Sequence, residues 1–171
     1  MTNTSKQYAL ALFSLASERK QRDEINDQFH AFTDAIDAMA WKFFLNPKIE
    51  DHEKHQVIRR VLNNQLLIDF FKTVIDNKRF NYVKEMAVAY KALDNEKKGI
   101  AELVVYTKDA LSKTNKEKLK KKFEKQLNKK IIINEVVKPS IMGGIRIEYQ
   151  GKVMDQTINA SLNDLKSSLI G

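Results

Sequence analysis

Apolar residues in the first 98 positions return every three to four places, the spacing of a helix face. They predict helices over about 4–20, 23–39, 50–62, 65–77 and 80–97, with a short turn near 41–46. Asp23 and Asp51 sit where a short side-chain oxygen could cap a helix start. Asn63-Asn64 and Asn77-Lys78 read as breaks, and short connections favour an antiparallel helical bundle. Beyond residue 98 the period changes. Leu103-Val104-Val105-Tyr106 and Ile131-Ile132-Ile133 are short strand-like runs. Ile145, Ile147 and Tyr149 alternate with Arg146, Glu148 and Gln150, which predicts a half-buried strand. Gln150-Gly151 can turn that strand into Lys152-Val153-Met154. Leu119, Phe123 and Leu127 mark one helix, and Ile158, Leu162, Leu165 and Leu169 a final one. The predicted fold class is therefore an all-helical front followed by a small C-terminal α/β unit.

Glycine and charge place the division near the same point. The first glycine is Gly99, and Pro47 is the one proline before it. A stretch so poor in both residues has little to interrupt its helices. Residues 1–98 carry a net charge of +2, and residues 99–171 carry +6, within the total of +8. The two shifts together predict a domain boundary around 98–110.

The composition, 43% hydrophobic and 30% charged, is that of a folded globular chain. At 171 residues a compact chain hides about 70% of its unfolded surface, enough for a real core. The absence of cysteine excludes disulfides, thiolate nucleophiles and cysteine zinc sites. No run approaches the length of a membrane span. The opening Met1-Thr2-Asn3-Thr4-Ser5-Lys6 lacks the blocks of a secretory signal, so the expectation is a protein that stays where it is made.

Catalytic chemistry is not evident. Gly143-Gly144 precedes a strand, so it cannot aim helix amides at a phosphate, and it reads as a backbone turn or close approach. His52 and His55 share a helix face but lack a third ligand, and Lys54 beside them opposes a cation. His30 has no nucleophile constellation around it. No cofactor or metal is expected. Nine lysines lie between Lys113 and Lys130. They read as a solvated helix face around Leu119, Phe123 and Leu127. A basic nucleic-acid-binding module is the alternative, although the run has no arginine and no aromatic platform.

The informative signal is apolar excess on two helices. In the first, Ala9, Leu12, Phe13 and Ala16 form one stripe, and Tyr8, Ala11 and Leu15 an adjoining one. In the fifth predicted helix, Tyr82, Met86, Ala89 and Leu93 form one stripe, and Val83, Ala87 and Tyr90 a second. One stripe suffices for a surface helix. Two mean either burial on both sides or a groove that accepts a partner helix.

Gln7-Tyr8-Ala9-Leu10-Ala11-Leu12-Phe13 resembles the opening motif of the delta subunits of F-type ATP synthases, the family of the mitochondrial oligomycin-sensitivity-conferring subunit. Pro139-Ser140-Ile141-Met142-Gly143-Gly144-Ile145-Arg146-Ile147, then Val153-Met154-Asp155-Gln156-Thr157-Ile158 and Leu162-x-x-Leu165, resemble that family's C-terminal signature. Lys138 and Asp155-Gln156-Thr157 depart from its usual Asp and Asp-Gly-Ser. The resemblance implies a six-helix bundle over residues 1–104 that binds the catalytic head. It implies an α/β domain over 105–171 that binds the C-terminal region of the b-subunit peripheral stalk. It further implies a non-catalytic stator, one copy per complex, peripheral on the cytoplasmic face of the bacterial cell membrane, without nucleic acid or membrane insertion. A groove on the first and fifth helices would receive the N-terminal helix of an alpha subunit. Together with the doubled stripes, this assigns Tyr8, Ala11, Leu15, Val83, Ala87 and Tyr90 to that groove. Gly143 and Gly144 are assigned to the stalk contact.

Overall fold

A computed structural model describes residues 1–149 and 152–157. The chain divides into two compact units, Met1–Asp94 and a second that begins at Asn95. The division set at 104/105 from sequence falls inside a strand, because β1 runs Ile100–Thr107.

The first unit contains α1 (Asn3–Glu18), α2 (Arg22–Ala35), α3 (Ala38–Leu45), α4 (Asp51–Val61) and α5 (Gln65–Asp76). A 3-10 turn (Phe80–Tyr82) then leads into α6 (Val83–Lys97), whose residues through Asp94 belong to this unit. The expected turn near 41–46 is the helix α3, and the helix expected to reach residue 39 ends at Ala35. The cause is local. Ile36 is extended, and the Asp37 carboxylate accepts the Ala40 amide at 2.7 Å, so it caps a new helix. Asp23 and Asp51 are not caps. They lie in the first turns of α2 and α4, where their charge favours the helix dipole. The cap of α4 is Glu50, whose N–H donates to Glu53 at 3.3 Å. Asn64 does cap α5, accepting from the Leu66 and Leu67 amides.

Without glycine, two helices end on lysine. Lys20 and Lys78 both adopt φ 56°, a left-handed position. Behind them Gln21 N–H donates to the Ala16 carbonyl at 2.8 Å, and Arg79 N–H to the Val74 carbonyl at 2.8 Å. These bonds tie off carbonyls that the helix leaves free. The helices bury one shared core. Its aromatic centre includes Phe29 against Phe71 (5.4 Å between centroids) and Phe44 stacked on Phe80 (4.2 Å). Tyr90 is wholly buried, and its hydroxyl donates to the Arg22 carbonyl at 3.2 Å. Thr2 caps α1, and the Glu85 carboxylate accepts from the Thr2 amide (2.7 Å) and the Ser5 hydroxyl (2.9 Å).

The second unit is a four-stranded mixed sheet with α7 (Lys113–Leu127) on one face. Its strands are β1 (Ile100–Thr107), β2 (Lys130–Val137), β3 (Gly144–Tyr149) and β4 (Lys152–Thr157), in the order β2-β1-β3-β4. β1 and β2 run parallel, and α7 makes the crossover they require. β3 runs antiparallel to β1 and β4. Alternation sends Ala101, Leu103, Val105, Ile131 and Ile147 to the face that Phe123 covers. The alternating strand, the lysine-bearing helix and the strand at Lys152-Val153-Met154 follow the sequence pattern. The turn at Gln150-Gly151 and the final helix through Ile158, Leu162, Leu165 and Leu169 lie outside the described residues.

Candidate functional site: an apolar groove between α1 and α5

α1 carries two apolar stripes, and the fold covers one of them. Ala9, Leu12 and Ala16 point into the core and are 0–1% exposed. The adjoining stripe turns toward α5. Gln7, Tyr8, Ala11, Leu12 and Leu15 from α1 and Leu66, Asp69, Phe70 and Thr73 from α5 line a groove of ≈ 400 Å³. Leu12 and Leu66 are buried in its floor. Tyr8 and Phe70 meet edge to face at 6.2 Å across it. Ala11 and Leu15 remain exposed, Leu15 at 43%. A leucine left this open beside an alanine has apolar surface that a partner could remove from water.

Polar groups are few. Asp69 is the one charged residue of the lining. Its Oδ1 accepts from Gln65 at 2.8 Å and from Lys72 at 3.1 Å. The hydrogen bond from Gln65, and then the hydrogen bond and charge of Lys72, hold the Asp69 carboxyl below its ordinary value. The Thr73 hydroxyl donates back to the Asp69 carbonyl at 2.9 Å, within its own helix.

The structure brings together Tyr8, Ala11 and Leu15, and it does not bring Val83, Ala87 or Tyr90 to them in this groove. Those three lie on α6 and are 0–2% exposed. The doubled stripe of α6 reflects burial on both sides, by the helices of its own unit. The second wall is α5, the fourth helix of the sequence pattern, in which α3 reads as a turn. A signal was present. Leu66 and Phe70, with Thr73 after them, follow the same i, i+4, i+7 spacing as Leu67, Phe71 and Val74, a third doubled stripe.

Gly143 and Gly144 stand at the entry to β3, far in sequence from this groove. Gly144 has φ +82°, which a side chain would strain. The lysines of α7 are partly compensated: Lys116 pairs with Glu135 at 2.7 Å, and Lys120 lies 4.0 Å from Glu124. His52 contacts Glu50 at 3.0 Å and His55 contacts Asp76 at 2.9 Å. Among the described residues no group of three or more acidic or histidine side chains could hold a metal ion. Among them also, no helix is long and apolar enough to cross a membrane.

Comparison with known proteins gives one consistent result. The sequence model of the ATP synthase delta (OSCP) subunit matches residues 4–169. ATP synthase subunit delta of Oceanobacillus iheyensis is 31% identical, with 97% of this chain and 94% of that protein aligned. Its counterpart from Solidesulfovibrio magneticus is 30% identical, covering 96% and 94%. A chain in the cryo-EM structure of the Toxoplasma gondii mitochondrial ATP synthase hexamer has the same fold. It superposes with a TM-score of 0.80 over 99% of both chains, at 20% identity.

Proposed function

Because the chain belongs to the family of ATP synthase delta (OSCP) subunits, and is thereby a structural component that catalyses nothing, we propose that it joins the catalytic head to the peripheral stalk. The first unit, as a six-helix bundle, receives the amphipathic N-terminal helix of an alpha subunit. The second unit holds the C-terminal region of the b subunit. One copy per complex keeps the alpha/beta ring still while the rotor turns, so that rotation is coupled to ATP synthesis and proton transport. The complex places it peripherally at the cytoplasmic face of a bacterial cell membrane.

The observation that carries this reading is the groove between α1 and α5. It is apolar, elongated along two helices and floored by Leu12 and Leu66. Small Ala11 on its wall leaves room for a guest backbone, and Tyr8 and Leu15 supply apolar contact. Burying an apolar helix face contributes about 25 cal/mol per Å² before association costs are subtracted, and it sustains slow dissociation under load. Val83, Ala87 and Tyr90 support α6 from within the core. The stalk contact is assigned to the second unit around Gly143 and Gly144, where the lack of side chains leaves backbone approachable.

Ala11→Asp tests the groove. Ala11 is exposed in the free chain, so the fold should stand. A carboxylate facing an apolar guest should abolish binding of an alpha-subunit N-terminal peptide and release of the chain from purified catalytic heads should follow. Unchanged peptide affinity in a folded Ala11→Asp chain would rule the groove out.

A further inference from the structure

Resting on the reading of the groove as a helix receptor, we infer that Asp69 selects its guest by charge, requiring a lysine or arginine beside the guest's apolar stripe. The groove lining is otherwise uncharged: Gln7, Thr73 and the hydroxyl of Tyr8 are its remaining polar groups. A guest helix that fills the apolar floor brings the edge of its stripe against this one carboxylate.

The carboxylate has capacity to spare. Gln65 and Lys72 both donate to Oδ1, and Oδ2 accepts no hydrogen bond among the described residues. An ionised carboxylate offers about four lone-pair sites across its two oxygens, so a guest guanidinium or ammonium can use the second. Asp69 stays ionised at neutral pH because its neighbours favour the charged form. A glutamate or aspartate at the same place on the guest would set two carboxylates together as the groove loses water. Like charges at an interface suppress wrong partners in this way.

The positive surroundings sharpen the comparison. Lys72 already shares Asp69, and Arg19 at the end of α1 adds its field. Residues 1–98 carry a net charge of +2, so long-range attraction alone favours an acidic guest. A preference for a basic guest must therefore come from a local contact.

The test uses the full chain and two synthetic amphipathic helices with the same leucine stripe, flanked in one by arginines and in the other by glutamates. Titration should show the arginine peptide binding about fivefold tighter. In Asp69→Asn that ratio should fall to about one, and in Asp69→Lys it should invert, while both variants unfold at the parent's denaturant midpoint or close to it. Equal affinity for the two peptides, or a ratio that survives in Asp69→Asn, would overturn the role of Asp69 and leave the groove assignment standing. Failure of both peptides to bind, together with an affinity for the alpha-subunit N-terminal peptide that Ala11→Asp leaves unchanged, would overturn both.

Discussion

Leu15 and Leu12 lie three residues apart on α1 and should respond to truncation in opposite ways. Leu15 retains 43% exposure on the groove wall, and Leu12 retains 1% in its floor. Full burial of a leucine side chain is favourable by about 1.5–3 kcal/mol. Covering the exposed share of Leu15 with a guest helix therefore contributes about 0.6–1.3 kcal/mol to binding. Leu15→Ala should weaken binding of an alpha-subunit N-terminal peptide by about three- to ninefold and cost the free chain little stability. Leu12→Ala opens a cavity in the shared core and should cost about 2–5 kcal/mol of folding stability. Both are measurable on one sample. Anisotropy of a labelled peptide reports binding. Urea denaturation followed through Trp41, the single tryptophan and a residue of the first unit, reports stability. If Leu15→Ala bound the peptide as the parent does, or lost as much stability as Leu12→Ala, the division of α1 into a core face and a guest face would be wrong.

Two further predictions concern the fold that presents the groove. Lys20 holds a left-handed conformation that costs a non-glycine residue roughly 1–2 kcal/mol. Lys20→Gly should raise the stability of the first unit by about 0.5–1 kcal/mol after the extra chain entropy of glycine is subtracted, and a lower urea midpoint at Trp41 would contradict the assignment. Glu85 sits below its ordinary value of 4.5, chiefly because the Thr2 amide and then the Ser5 hydroxyl donate to it. A carboxylate favoured by folding stabilises above the unfolded pKa and loses that stabilisation as pH falls through the folded one. Thermal unfolding at pH 7 and pH 3 should show a smaller acid-induced drop in Glu85→Gln than in the parent, and an equal or larger drop would show that the anchor of α1 does not depend on that charge.

Period and composition made the main division of the chain legible. The change from helical to strand spacing after residue 98, and the alternation through Ile145, Ile147 and Tyr149, correspond to α1–α6 followed by the mixed sheet. The helix α3 was not legible, because Asp37 reads as interior to a longer pattern until its carboxylate is seen to cap Ala40. The candidate groove was half legible for a related reason. A doubled apolar stripe states that two sides of a helix avoid water, but not what covers them. On α6 the cover is the chain itself; on α1 the second side faces only the rim of α5. That distinction lives in tertiary neighbours. Counting α3 as a turn then shifted the helix numbering and hid Leu66 and Phe70, although their spacing was plain.

The groove draws one wall from residues 7–15 and the other from residues 66–73. Neither stretch is a binding site alone, and the helices between them must be in place before the walls meet. On the proposed reading of the groove, recognition would be a checkpoint on folding. A subunit with a collapsed or half-formed first unit would present nothing to grip and would be passed over during assembly. One that is gripped is held folded, since any ligand that binds only the native state shifts the unfolding equilibrium against it. The complex that needs a rigid joint would by the same contact select rigid copies of it.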